Sequence, residues 1–326
     1  MRRFAIAAML VPVCAWLLGA HRLACANSPQ ARVVAGDGIS IRVEGGGWGS
    51  ASKREIQSVF QSAAENLADN SPRKQSGISI IVTHAEGNPI TLYEKAHGGE
   101  YQVRVGAKDR YWAQYAYQFA HELCHILSNY SYDAGASAAR RNQWFEETLC
   151  ETASLYALRK MSADWQRRPP YPNWAGYAPE LGAYAERLVR QRHRQLPAEI
   201  SIADWLRENE ALLRSDPYLR DRNDVLASQL LPLFEANPAG WEAVEYLNLS
   251  PAGTTTGLRE YLQRWHTDAP DAHKPFVQRV LALLGLDRTE LRARLVAGAT
   301  AADGAAQSTT HAVAAIAAST ARNSQR

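Results

Sequence analysis

The chain carries no broad excess of charge of one sign. Its 326 residues include 36 Lys and Arg against 33 Asp and Glu, and Arg2, Arg3 and Arg22 account for the whole difference. The rest of the chain is neutral, so it lacks the basic field that attracts nucleic acid or an anionic membrane. We therefore expect no nucleic-acid partner.

Glycine and proline are not in excess either, and no internal repeat is visible. The chain has 21 Gly, 15 Pro, 46% hydrophobic residues and 21% charged residues. These proportions exclude collagen, a coiled coil and a wholly disordered chain. The length allows one large domain or two moderate ones, each able to bury a core.

Long apolar runs are absent after the N-terminal segment. There, Met1-Arg2-Arg3 precedes an apolar run from Phe4 to Ala20, and Ala24-Cys25-Ala26 gives the small-x-small pattern of a cleavage site. We predict a signal peptide over residues 1–26, cleaved before Asn27. The mature protein is then exported, periplasmic or secreted, with no stable membrane insertion.

Two other interpretations of the N-terminal segment are less favoured. A membrane anchor needs about 20 apolar residues, and this run is shorter and contains Pro12. A lipoprotein acylated at Cys25 would need a lipobox, which has leucine at the position that Arg22 occupies here.

Hydrophobic periodicity predicts an α+β fold with a small mixed sheet. The predicted strands are Ile39–Val43, Ile78–Val82, Ile90–Tyr93 and Tyr101–Val105. The predicted helices among and after them are Ser52–Leu67, Asp109–Tyr130 and Gln143–Lys160. A loop is expected over residues 161–177, with only helical patterns beyond it. We predict a core over residues 27–177, an all-α extension over 178–295 and a disordered tail over 296–326.

One motif points to metal chemistry. His121-Glu122-Leu123-Cys124-His125 has the form H-E-x-x-H. Residues i and i+4 share a helix face, so both imidazoles can reach one metal ion. Glu122, about 100° around the helix, can take a proton from a water on that ion.

The helix around the motif is strongly two-sided. Its polar residues lie within about 100° of one another, and they are Gln114, Gln118, Glu122, His125 and Asn129. Its apolar residues lie on the opposite side, and they include Trp112, Ala116, Phe119 and Leu123. Two histidines packed in a core would lie on the apolar side. The polar face therefore favours a functional site.

A second acidic segment follows about 20 residues downstream. Trp144 to Glu151 reads Trp-Phe-Glu-Glu-Thr-Leu-Cys-Glu. Together with H-E-x-x-H it resembles the gluzincin metallopeptidases, in which a glutamate on the next helix is the third ligand and an acid four residues later supports a histidine. The resemblance covers roughly residues 101–160.

The resemblance implies a site and an activity. Zn²⁺ would be held by His121, His125 and Glu147, while Glu151 would orient His121. Glu122 would be the general base for a metal-activated water that hydrolyses a peptide or protein substrate. Glu146, about 100° off that face, is the weaker ligand candidate, and a solvated carboxylate is its simpler interpretation.

The resemblance also suggests where substrate binds. The strand Tyr101–Val105 corresponds to the edge strand that pairs with an extended peptide in this group, although an ordinary sheet strand fits the sequence equally. Gluzincins further use a downstream His or Tyr to stabilise the oxyanion. The candidates here are Tyr171, Tyr177, His193 and His266, and no local pattern chooses among them.

The mature chain would keep only two of the four cysteines. Cys124 and Cys150 each lie about 60° from the metal-facing side of their helices. A disulfide between the helices, two buried thiols, and a metal-ligand role all fit this placement.

Two functions other than a peptidase stay open. One is a zinc-containing, inactive peptidase-like binding or scaffold protein in the periplasm, although such a protein has no need of Glu122. The other is a metal-free helical interaction module, which would leave the polar helix face unexplained. The oligomeric state is not determined by the sequence.

Overall fold

The computed structural model describes residues 38–68, 77–130, 141–249 and 256–287. The predicted signal peptide and C-terminal tail lie outside these ranges. Within them, no helix combines the length and the apolar character needed to cross a bilayer.

Four strands form one mixed sheet. They are β1 (Ile39–Glu44), β2 (Ile78–His84), β3 (Ile90–Thr91) and β4 (Tyr101–Val105), in the order β1-β2-β4-β3. The first three strands in that order are parallel, and β3 runs antiparallel to β4. Along β1, Ile39, Ile41 and Val43 are buried while Ser40 and Arg42 are exposed. One face of the sheet therefore packs on the core.

Helices make up most of the rest of the chain. In the described ranges they are α1 (Lys53–Ala68), α2 (Trp112–Leu127), α3 (Gln143–Trp165), α4 (Ala178–Val189), α5 (Ile202–Ser215), α6 (Arg220–Ala236), α7 (Gly240–Val244), α8 (Leu258–Asp268) and α9 (Lys274–Leu283). Short 3₁₀ turns cover Pro172–Tyr177 and Arg192–Arg194.

Local capping chemistry sets several helix ends. Before α1, the Ser52 hydroxyl accepts from the backbone N–H of Glu55, and the Glu55 carboxylate accepts from the Ser52 N–H. This reciprocal pair is a capping box. After α9, Gly285 has φ +65° and the Leu286 N–H donates to Leu281 C=O. This is the Schellman geometry, which favours glycine at that position.

One hydrophobic core joins the sheet to the helices. Phe60 of α1 stacks on Phe119 of α2 at 4.5 Å, and Trp165 of α3 donates to Ser62 Oγ of α1 at 2.7 Å. On its other side α3 packs against α4 and α6. As a result α3 is central, between the sheet-bearing part and the later helices.

The α+β class with a small mixed sheet is confirmed, with differences at particular elements. Helix α3 continues to Trp165, into the predicted loop. The short helix α7 was not predicted. β4 is not an edge strand, because Val103 pairs with Val82 on one side and with Thr91 on the other. The edge next to α2 is the two-residue strand β3.

Candidate metal centre

Helices α2 and α3 lie side by side and bring the two acidic motifs together. His121, Glu122, His125 and Glu147 are all buried, with exposed fractions from 2% to 7%. The polar face of α2 is therefore covered rather than open to solvent. It faces the N-terminal half of α3 and the edge strand β3.

The three predicted ligands converge. His121 Nε2 lies 3.3 Å from Glu147 Oε2, and His125 Nε2 lies 3.7 Å from Glu147 Oε1. Burial acts to raise the pKa of Glu147, but the neighbouring imidazoles outweigh it and hold that pKa below its usual value. Glu147 Oε1 is buried without a hydrogen-bond partner. An ionised carboxylate with an unsatisfied buried oxygen beside two imidazoles fits a divalent metal ion.

Cys150 is a rival third ligand. Its sulfur and one nitrogen each of His121 and His125 lie within 4.8 Å of one another. Burial, followed by the contact with Cys124, raises the pKa of the Cys150 thiol well above its usual value. To bind zinc, the Cys150 thiol would have to release its proton, whereas Glu147 has a lowered pKa and one buried oxygen without a hydrogen-bond partner. We therefore take Glu147 as the third ligand and Cys150 as its alternative.

The two cysteines are free thiols in this structure. Both are buried, and the Cys150 side chain is hydrogen-bonded to that of Cys124. Of the arrangements that the sequence left open, the structure has the pair of buried thiols and not the disulfide.

Glu146 is not the solvated carboxylate that the sequence suggested. It is 3% exposed, and its Oε1 lies 2.7 Å from His125 Nδ1. Burial acts to lower the pKa of His125, yet the charge of Glu147 and the hydrogen bond to Glu146 raise it to about 10. A metal ion at Nε2 would take the place of a proton there. Glu146 thus fixes the tautomer and orientation of a predicted ligand.

Glu151 does not hold His121 by a hydrogen bond, contrary to the prediction. Its Oε2 accepts from the Tyr117 hydroxyl, and its Oε1 lies 2.8 Å from an Arg194 nitrogen. Arg220 Nη2 lies 3.6 Å from Glu151 Oε2. Glu151 therefore forms ion pairs with two arginines from the later helical part. Its interaction with His121 is electrostatic, without a hydrogen bond.

The general-base candidate Glu122 is held by the edge strand. The Thr91 hydroxyl of β3 lies 2.8 Å from Glu122 Oε2 and 3.1 Å from the backbone carbonyl of Glu122. Burial raises the pKa of Glu122, and the imidazoles and Thr91 partly oppose it. A raised pKa moves a carboxylate toward the range that suits a general base at neutral pH.

The oxyanion candidates from the sequence have partners elsewhere. The Tyr177 hydroxyl accepts from Ala113 N–H at the start of α2, and Tyr171 packs on Trp174. His193 pairs with Asp224 at 2.9 Å. Within the described ranges, none of these residues, nor His266, has a hydrogen bond or ion pair to Glu147 or to the H-E-x-x-H motif.

Tyr218 is the candidate that sequence reasoning missed. It lies between α5 and α6, and its hydroxyl accepts from Gln143 Nε2 at 2.9 Å, at the start of the glutamate helix. Burial raises its pKa and the charge of Glu147 raises it further, so the hydroxyl stays protonated. The stretch Ser215-Asp216-Pro217-Tyr218 contains no motif that would have singled it out.

Comparisons with known proteins find no match, whether with protein-family models, curated proteins or solved structures.

Proposed function

We propose that this protein is an exported zinc metallopeptidase whose metal is held by His121, His125 and Glu147. The observation that carries the proposal is the approach of Glu147 to both histidines, at 3.3 and 3.7 Å, beside Glu122. Zinc bound there would polarise the scissile carbonyl and lower the pKa of the attacking water.

Glu122 acts as the general base. Its carboxylate takes a proton from the attacking water and then passes it to the leaving amine. Thr91 fixes the carboxylate from the side of β3, at 2.8 Å. Because burial raises the pKa of Glu122, the protonated form needed for the second transfer becomes accessible.

Tyr218 stabilises the oxyanion. Its oxygen already accepts a hydrogen bond from Gln143, so its own O–H is free to donate to the developing negative charge. A protonated hydroxyl in a half-buried setting suits this role, since such donors act more strongly where water is partly excluded.

The substrate is a peptide in extended conformation. Among the described residues the sheet ends at β3, and Thr91 of β3 contacts Glu122 directly. A peptide added as a strand beside β3 would place its carbonyls next to the general base. This assigns to β3 the role that the gluzincin resemblance suggested for Tyr101–Val105.

The Glu122→Gln variant tests the proposal. The chain from Asn27 onward should bind about one zinc, and His121→Ala should lose it. Glu122→Gln should keep the zinc but lose hydrolysis by about three orders of magnitude, because an amide cannot accept the proton. A peptide-library assay with metal analysis measures both. Full activity in Glu122→Gln would contradict the mechanism, and absence of zinc in the folded wild type would contradict the site.

A zinc-containing scaffold without catalysis is the second candidate. The observation that favours it is the burial of the site, with Glu122 only 2% exposed. In this case the wild type would bind zinc yet cleave no peptide in the library, and Glu122→Gln would behave identically.

A further inference from the structure

A chain of hydrogen bonds runs from a predicted zinc ligand to the C-terminal helices. His125 Nδ1 lies 2.7 Å from Glu146 Oε1, and Asn248 Nδ2 donates to Glu146 Oε2 at 2.9 Å. Asn248 Oδ1 in turn accepts from the Tyr261 hydroxyl of α8 at 2.7 Å. We call this series, from His125 through Glu146 and Asn248 to Tyr261, the asparagine relay.

Every polar atom of the Asn248 side chain is engaged. Its amide nitrogen donates to Ser128 C=O at 3.0 Å as well as to Glu146, and its oxygen accepts from Tyr261. An amide has two donor hydrogens and one acceptor oxygen. The orientation of the group is therefore determined, with the nitrogen toward Glu146.

The backbone at Asn248 also fits a dedicated position. Its φ is +58°, in the left-handed region that asparagine tolerates better than most residues. Asn129, at the end of the metal helix, has the same φ of +58° and donates to Leu247 C=O at 2.8 Å. Two left-handed asparagines thus join the segment 245–248 to the C-terminal end of α2.

The second carboxylate oxygen of Glu146, Oε2, also needs a hydrogen-bond partner. The carboxylate is 3% exposed, and one oxygen is committed to His125. An unsatisfied buried carboxylate oxygen is costly, so without Asn248 the group would rotate or draw in water. Either change would release the orientation of His125.

We infer that Asn248 is a positioning residue of the metal centre, acting on the zinc ligand His125 through Glu146. This rests on the proposed zinc site but not on peptide hydrolysis. A residue of the helical extension, outside the predicted core over residues 27–177, therefore contributes to the metal centre itself.

Zinc affinity, measured by competition with a chromophoric chelator, tests the inference without any peptide substrate. Asn248→Gly keeps the left-handed backbone and removes the amide. It should weaken zinc binding about tenfold, the lower end of the range for outer-shell partners. Tyr261→Phe, which removes the hydroxyl that donates to Asn248 Oδ1, should weaken it about threefold. The Co²⁺-substituted proteins should show shifted d–d bands in the same order.

Asn129→Gly is the matched control. It removes an amide that binds the same segment from a residue with the same backbone φ. This amide donates to the backbone carbonyls of Glu245 and Leu247, whereas the Asn248 amide donates to Glu146. Its zinc affinity should stay within about twofold of wild type. Equal losses for Asn129→Gly and Asn248→Gly would show that only docking of the segment matters and would overturn the inference.

A double-mutant cycle separates positioning from general destabilisation. In a Glu146→Ala background, Asn248 has no carboxylate to position, so adding Asn248→Gly should cost no further zinc affinity. Additive losses would overturn the inference. If Asn248→Gly does not fold, Asn248→Ala, which removes the amide without adding a charge beside Glu146, takes its place in the cycle. Failure of the wild type to bind zinc would instead overturn the metal centre, whereas failure to cleave peptides would leave the inference standing.

Discussion

Glu146 and Glu147 are neighbours in sequence but contact different nitrogens of the same histidine. Helix α3 turns about 100° between them, so Glu147 approaches His125 Nε2 at 3.7 Å while Glu146 reaches Nδ1 at 2.7 Å. Both ring nitrogens then have a carboxylate partner. The sequence alone does not identify the partner of this Nδ1, because a ligating histidine can donate to a carboxylate, a backbone carbonyl or water.

The role of Tyr218 is testable at the level of a single hydroxyl. Tyr218→Phe should lower kcat about 100-fold, as expected for loss of one oxyanion donor, while KM and zinc content stay nearly unchanged. Tyr177→Phe is the matched control, since the Tyr177 hydroxyl binds Ala113 N–H instead. Steady-state kinetics on one peptide suffices. Equal effects of the two substitutions would remove Tyr218 from the mechanism.

Helix α3 is the element on which the site depends most. Successive turns of its N-terminal half carry Glu146, Glu147, Cys150 and Glu151, and all four are buried. The sequence predicted that these residues share a helix facing the H-E-x-x-H motif. It did not determine which of them contacts which histidine, because that depends on how far α3 is rotated and shifted against α2.

The choice between Glu147 and Cys150 as third ligand is decided by two substitutions on α3. Glu147→Gln should reduce zinc affinity by at least two orders of magnitude, because the amide lacks the negative charge that neutralises the ion. Cys150→Ser should leave affinity within about threefold, because the proposed ligands are His121, His125 and Glu147 and do not include the thiol. Chelator competition at pH 7 measures both. The reverse ranking would make Cys150 the ligand.

The strand β4 and its neighbour β3 show a different limit of prediction from sequence. Tyr101–Val105 was correctly predicted as a strand, with the observed bounds, because its alternation is local. Of the two places that the sequence left open, edge strand and ordinary sheet strand, the structure has the second, because β2 and β3 pair with it on either side. A strand that short carries almost no periodic signal, so its pairing with β4 could not be foreseen.

At the scale of the whole molecule, a buried charge cluster joins α3 to the helices after it. Arg194 lies 2.8 Å from Glu151 and 3.2 Å from Asp224, and it is 1% exposed. Arg220 approaches Glu151 as well. Removing one partner from such a cluster leaves an uncompensated buried charge. The later helices are thereby coupled to the centre of the site-bearing part.

The cluster predicts a pH-dependent stability difference between wild type and Glu151→Gln. Burial acts to raise the pKa of Glu151, but Arg194 and Arg220 lower it to about 2, from 4.5 in the unfolded chain. The lowered pKa stabilises the fold fully above about pH 4.5, and this contribution is lost as the pH falls toward 2. At pH 7, Glu151→Gln should lose about 3 kcal/mol of unfolding free energy.

Urea unfolding of the metal-free proteins between pH 7 and pH 3 measures this difference. The gap between wild type and Glu151→Gln should narrow as the pH falls below about 4.5. Glu86→Gln is the control, since Glu86 is exposed and pairs with Lys108 at the surface, and it should unfold almost as wild type does. A gap that does not change with pH would contradict the assigned pKa.

The sequence by itself determined the strands and longer helices, the α+β class, and a histidine pair on one helix face. These follow from periodicity and from i, i+4 geometry, which act over a few residues. That an acidic helix faces the histidines was implied only by the resemblance to the gluzincins. Tertiary structure decided the contacts of Glu151, the burial of Glu146, and the placement of Tyr218 and Asn248. Gln143 and Tyr218 are 75 positions apart, and Asn248 and Glu146 are 102 apart. Such contacts form only when distant parts of the chain pack together, so no local sequence pattern predicts them.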